Sequence, residues 1–287
     1  MKVNIISLTC CAGCVSSFLN AGEAFLEILS ENFRIVYSPT FIDLKEIQKV
    51  DLAIVEGGVR TEEDEKLIRE VRAKSRLLVA LGICATHGGI TSLGDIFSVK
   101  KFLEKEYYLS ERTQLPELKD LMYPIGNFVD VDYYIPGCPP MPFLIIHALK
   151  SIVSEKQPLH HKSIVCTECN RKIIPAKLDR LHGIYEKEAT PEICLVSQGF
   201  ICLGSLTRDG CGAPCPRVGF TCFGCRGPAD SLMYRSRDMY AFLVKVISRR
   251  TGVPEEKIRA ELYKTPFIFH TFIFSRFDRF KARERII

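Results

Sequence analysis

The stretch VNIISLTCCAGCVSS, residues 3–17, decides the fold. Its first part, Val3-Asn4-Ile5-Ile6, is a short apolar run. Phe18, Ala21, Phe25, Ile28 and Leu29 then recur at helical spacing. An apolar run followed at once by a helical pattern opens a β-α unit, and here the turn between them holds Gly13 and three cysteines. Further candidate strands are Arg34–Tyr37, Asp51–Val55, Arg76–Leu81 and Val131–Ile135, with helical patterns at Glu62–Lys74 and Phe143–Val153. This alternation predicts an α/β domain over residues 1–155, with a parallel sheet covered on both faces. In such sheets ligands bind beyond the carboxyl ends of the strands.

The cysteines follow that geometry. Cys11 and Cys14 come after the first strand, Cys84 in LGICATHGG after Arg76–Leu81, and Cys138 in IPGCPP after Val131–Ile135. All fall on one predicted sheet edge. The alternation then stops. Residues 156–227 are rich in Cys, Gly and Pro, with Cys166 and Cys169 in CTEC, Cys194 and Cys202 in CLVSQGFIC, Cys211 and Cys215 in CGAPC, and Cys222 and Cys225 in CFGC. So little apolar periodicity builds no core by itself, and metal centres supply stability in such segments. Residues 228–287 return to helical patterning. Met233–Arg249 is amphipathic, Gly252 marks a stop, and Pro254-Glu255-Glu256 marks the next start. The Phe-dense run PFIFHTFIFSRFDRF, residues 266–280, reads either as packing on its own domain or as a docking surface for another subunit.

Bulk properties narrow the classes. The chain has 287 residues, 47% of them apolar, and no run long enough for a transmembrane helix. The amino terminus enters a strand without a charged leader or twin arginine, so a cytoplasmic protein is expected. Net charge is +5, and residues 228–287 hold 13 Lys+Arg against 7 Asp+Glu. A basic tail without a recognisable nucleic-acid module predicts solvated helix faces or a protein partner, not nucleic acid. Thirteen cysteines in a reducing compartment point to metal or redox chemistry rather than a disulfide framework.

Four cysteines at strand ends and eight in the following segment make three sets of four thiolates, a number that suits zinc or iron–sulfur clusters. A zinc ribbon from CTEC and CFGC leaves the four cysteines between them without a role. A thioredoxin-like dithiol at Cys11 and Cys14 leaves eleven idle. Iron–sulfur ligation uses nearly all of them, and several clusters in one chain make a series of electron carriers.

The set C-A-G-C after the first strand, G-I-C-A-T-H-G-G and P-G-C-P-P resembles the small subunit of [NiFe] hydrogenases, and in part the related subunit of respiratory complex I. The later block CLVSQGFICLGSLTRDGCGAPCPRVGFTCFGC is similar to the cytoplasmic archaeal hydrogenases of the viologen-reducing and sulfhydrogenase types. The resemblance spans residues 1–227. It implies a flavodoxin-like domain followed by a cluster-bearing segment. It implies three [4Fe-4S] clusters: a proximal one on Cys11, Cys14, Cys84 and Cys138, a distal one on Cys166, Cys169, Cys194 and Cys202, and a medial one on Cys211, Cys215, Cys222 and Cys225. Cys166 stands where periplasmic relatives have His, and Cys215 supplies a fourth medial ligand. Cys10 is left as a neighbour. Glu56, in VEGG, either orients the cluster, meets the catalytic subunit, or is an exposed strand-end carboxylate. His87 has a supporting or structural role.

The activity implied is electron transfer, not catalysis by this chain alone. Dihydrogen chemistry belongs to a nickel–iron site in a separate large subunit. A further iron–sulfur or flavin subunit accepts the electrons, with heterodisulfide reductase through an adaptor, a nicotinamide or deazaflavin subunit, and ferredoxin all open. Three rivals stay beside this reading: a complex I-like module without hydrogenase activity, a zinc scaffold, and a thiol oxidoreductase.

Overall fold

The computed structural model describes residues 1–43, 46–96, 105, 116–156, 158–233 and 236–264, which form two compact units divided between His160 and His161. Among the described residues, the first unit carries the strands β1 (Lys2–Ser7), β2 (Arg34–Tyr37), β3 (Val50–Glu56), β4 (Val59–Thr61), β5 (Ser75–Leu81), β6 (Leu118–Tyr123) and β7 (Tyr133–Ile135). Its helices are α1 (Gly13–Leu19), α2 (Glu23–Glu31), α3 (Glu62–Lys74), α4 (Gly82–His87) and α5 (Pro142–Val153).

Five strands form one sheet in the order β2-β1-β3-β5-β7, every pairing parallel. This is the flavodoxin-like order, whose direction of winding reverses between β1 and β3 and leaves a crevice at that switch point. The central strands are buried on both faces, which is why VDLAIVE and SRLLVAL read as nearly unbroken apolar runs. One face packs Val3, Ile5, Leu52, Ile54, Val79 and Leu81 against Phe18, Ile28, Ile145 and Leu149 of α1, α2 and α5. Each such side chain contributes roughly 1.5–3 kcal/mol through burial. The α3 helix buries Ile68 and Val71 and starts on a reciprocal cap: Thr61 Oγ1 accepts the Asp64 N–H at 3.0 Å, and Asp64 Oδ2 accepts the Thr61 N–H at 3.0 Å.

The fifth parallel strand begins at Tyr133, not Val131. Asp132 explains the shift, because its carboxylate takes the Leu78 N–H at 2.8 Å and the Arg72 guanidinium at 2.7 Å, so a side chain occupies the place of the ladder bond. The antiparallel pair β4–β6 is absent from the sequence expectation, since LKDLMY shows no clean alternation. It is stapled by Arg60, 7% exposed, whose guanidinium pairs with Asp95. The Asp95 Oδ2 also accepts the Met122 N–H at 3.0 Å. Asp95→Ala strands a buried guanidinium and is expected to cost about 3–5 kcal/mol, read as a Tm lowered by roughly 10 °C.

The second unit begins with loops and short 3-10 turns and continues into helices Asp230–Met233, Ser236–Thr251 and Glu255–Lys264. The helix expected over 233–249 is described as Ser236–Thr251, with Gly252 at φ 70° closing it. Without regular ladders, side chains satisfy the buried carbonyls: Arg171 donates to Pro216, Thr190 and Ile193, and Gln198 Nε2 donates to Ile193 at 2.8 Å. The Phe-dense run at 266–280 lies outside the described residues.

Candidate functional site

None of the thirteen cysteines is in a disulfide. The first group stands at the β1/β3 switch point. There, Leu8 donates its N–H to the Glu56 carbonyl at 3.0 Å, and Gly58 donates to Thr9 O at 3.1 Å, so the two strand ends stay joined. The chain then turns through Ala12 at φ 60°, an uncommon backbone for a residue with a side chain, and α1 delivers Cys14. The α4 helix delivers Cys84, and the loop after β7 delivers Cys138. Two bonds tie these loops together: Ile83 N–H to Gly137 O at 2.7 Å, and Ser17 Oγ to Pro140 O at 2.5 Å.

Cys14 is the hub. Burial, the Glu56 carboxylate and the thiols of Cys84, Cys138 and Cys11 together push its pKa far above the usual thiol range. The approach to it is made by a missing side chain, because a Cβ on Gly82 would sit 2.2 Å from the Cys14 sulfur. Cys10 lies beside Glu56 and Cys11. Burial raises its pKa to about 11, and its thiol hydrogen-bonds the Glu56 carboxylate.

Glu56 is buried, 1% exposed, which corrects the reading of it as an exposed strand-end carboxylate. Its oxygens accept Ser7 Oγ–H at 2.8 Å and the Val15 N–H at 3.2 Å, docking the first turn of α1 on the end of β1. His87 is buried too. Its Nδ1 lies 2.8 Å from Thr86 Oγ1, which donates to Gly82 O at 3.0 Å, so the His87–Thr86 pair braces the glycine beside Cys14.

The second unit gathers Cys166, Cys169, Cys194 and Cys202 around one small cavity, lined also by Arg171 and Arg250. Burial, with Cys202 close by, pushes the Cys166 thiol up to about 12, against the opposing Arg250 guanidinium. Burial raises Cys202 to about 11, offset in part by N–H donation from Cys222 at 3.3 Å.

Cys211 neighbours Cys215, Cys222 neighbours Cys225, and Cys222 also abuts Cys202 of the second set. Cys222 is buried beside Cys202 and Cys225, and burial first, then those thiols, raise its pKa well above the usual value. Cys211 neighbours Cys215, and Glu168 accepts the N–H of Gly210 and Gly212 on either side of it at 2.9 and 3.0 Å. Arg226 joins the halves. It is 1% exposed, burial draws its pKa down to about 10, and the thiols of Cys211 and Cys225 oppose that shift.

Chemically, Cys14, Cys166, Cys202 and Cys222 are poor exchange thiols. A catalytic thiolate sits in surroundings that lower its pKa, whereas Cys14, Cys166, Cys202 and Cys222 are all raised. Neutral buried thiols lose their protons when a metal group replaces them. Iron–sulfur groups fit this donor set: sulfur-only donors, a glycine cradle at Gly82, backbone N–H aimed at Cys202 sulfur, and a buried guanidinium that anionic ligation would neutralise. Among the described residues, no three or more His, Cys, Asp or Glu side chains are arranged to hold a single metal ion. Sequence reasoning found the cysteines but missed Arg171, Arg226 and Arg250, which sit in loops or far along the chain and carry no periodic signal.

Comparisons with known proteins agree with this chemistry. The family model described as NADH ubiquinone oxidoreductase, 20 Kd subunit, matches residues 11–152. One subunit of the F420-non-reducing hydrogenase vhu of Methanocaldococcus jannaschii is 40% identical over 260 residues, covering 86% of this chain and 88% of that relative. Sulfhydrogenase 2 subunit delta of Pyrococcus furiosus is 32% identical, covering 91% of this chain and 98% of that relative. A solved NAD+-reducing [NiFe]-hydrogenase chain in the H2-reduced state superposes with a TM-score of 0.51 at 31% identity, over 56% of this chain and 94% of its own.

Proposed function

The chain belongs to the small, electron-transferring subunits of [NiFe] hydrogenases, and from that premise we propose that it relays electrons through three [4Fe-4S] clusters between a nickel–iron large subunit and a further iron–sulfur or flavin acceptor. Residues 1–155 hold the first cluster on Cys11, Cys14, Cys84 and Cys138. Residues 156–227 hold the other two, on Cys166, Cys169, Cys194 and Cys202 and on Cys211, Cys215, Cys222 and Cys225. Residues 228–287 form the tail. The observation that supports this reading most is the meeting of thiols from three separate strand ends around Cys14.

When bound, such clusters supply one-electron carriers whose potentials depend on burial, nearby charge and hydrogen bonds to sulfur. The chain's own residues do the rest. Glu56 and the His87–Thr86 pair fix the loops that present the first thiols. Arg171 and Gln198 hold the loops of the second set, and Arg226 bridges the third. Among the described residues no helix is long and apolar enough to cross a membrane, and the proposed setting is the cytoplasm.

The test is hydrogen itself. In the complex purified without oxygen, H2 is expected to bring up the paramagnetic signals of one-electron-reduced [4Fe-4S] clusters in this chain, while the chain separated from its large subunit stays oxidised and silent under the same gas. A complex whose signals ignore H2 contradicts the proposal. It favours instead a complex I-like module, the reading that the match over residues 11–152 supports.

A further inference from the structure

Helix Ser236–Thr251 brings a charge to the second thiol set from far along the chain. Met239, Leu243, Ile247 and Thr251 are fully buried at helical spacing, which fixes the face the helix turns to its own unit. Its end is then clamped. Gly252 N–H bonds Ser248 O at 2.8 Å, the Arg250 carbonyl accepts the Ala176 N–H at 2.8 Å, and the Thr251 carbonyl accepts the Leu178 N–H at 2.8 Å. From this clamped backbone Arg250 Nη1 reaches the Cys194 sulfur at 3.2 Å. The same side chain lines the cavity shared by Cys166, Cys169, Cys194 and Cys202. Arg171 also lines it, but its Nε and Nη1 are given to backbone carbonyls at 2.6–2.9 Å. The two arginines therefore divide the work: one builds the loops, the other addresses sulfur.

We propose that Arg250 is a positioning residue that raises the reduction potential of the iron–sulfur group held by Cys166, Cys169, Cys194 and Cys202. An added electron makes a thiolate-ligated cluster more negative, so a fixed cation stabilises the reduced state more than the oxidised one. An N–H donated to ligand sulfur acts in the same direction. Arginine suits the task because its charge does not titrate in the working range of a protein. The tail of the chain thereby tunes one carrier of the relay as well as packing beside it.

This inference rests on the proposed iron–sulfur reading, and the experiment separates the two. Redox-titrated electron paramagnetic resonance is recorded on the whole complex with wild-type chain, Arg250→Gln and Arg250→Lys. Arg250→Gln is expected to weaken the reduction equilibrium of one cluster about tenfold, a midpoint lower by about 59 mV for a one-electron couple, with the other two unmoved. Arg250→Lys keeps the charge without the planar fork and is expected to weaken it about threefold. An unmoved potential in Arg250→Gln overturns the inference. Should that variant fail to assemble, Arg250→Lys decides alone: a partial fall upholds the inference and an unmoved midpoint overturns it. A wild-type chain without iron–sulfur signals removes the underlying reading instead.

Discussion

Cys14→Ser is expected to abolish one of three iron–sulfur signals, lower the iron content by about a third, and stop H2-driven reduction of the remaining two clusters. The reason is geometric. Cys14 is the thiol around which Cys11, Cys84 and Cys138 gather, and it sits where burial and the Glu56 carboxylate make an unligated thiolate costly. A serine hydroxyl there is a harder, weaker donor to iron and leaves the cluster three thiolates. Cys10→Ser is the matched control. Its thiol hydrogen-bonds Glu56, so all three signals are expected to persist. Loss of the first signal in Cys10→Ser, with retention in Cys14→Ser, would transfer the ligand role to the tandem pair Cys10–Cys11.

Gly82→Ala is expected to eliminate the same signal while every thiol remains in the chain. Gly82 has φ 87°, where a residue with a side chain costs about 1–2 kcal/mol. Strain alone would leave a folded protein with a lower Tm. The decisive effect is contact, because the new methyl group falls 2.2 Å from the Cys14 sulfur, and one of the two must move. Since α4 carries Cys84 two residues later, a shift of either element spoils the convergence. Gly212→Ala separates contact from strain. Gly212 has φ 73° beside Cys211, but nothing lies within 4 Å of its added Cβ. All three signals are expected to survive there with only a modest fall in Tm. Equal loss in both variants would mean that backbone strain, not the cradle at Cys14, controls assembly.

The sheet was legible because its central strands are buried on both faces. Arg34–Tyr37 and Glu62–Lys74 stand where the apolar pattern puts them, and β1, β3 and β5 differ by one residue at their ends. The gathering of Cys11, Cys14, Cys84 and Cys138 on one edge follows from parallel strands alone. What stayed hidden depends on polar side chains acting across loops. Asp132 displaces a ladder bond and shortens β7. Glu56 is buried by the turn that follows β1, a turn whose Ala12 geometry no pattern announces. The grouping of the eight later cysteines came from resemblance, because irregular backbone has no period to read. Arg250 touches Cys194 across 56 positions of sequence, a contact made by the ending of a helix at Gly252 and by two backbone bonds to residues 176–178.

Whether one chain holds three iron–sulfur clusters is decided by counting metal. Iron, acid-labile sulfide, zinc and nickel are measured per chain on protein purified without oxygen and separated from its partners. An electron relay of three four-iron clusters requires about twelve irons with matching sulfide and neither zinc nor nickel. About four irons with zinc would confine the cluster chemistry to the first unit and make the second a zinc-bound segment. Folded protein with little metal of any kind would refute the relay outright.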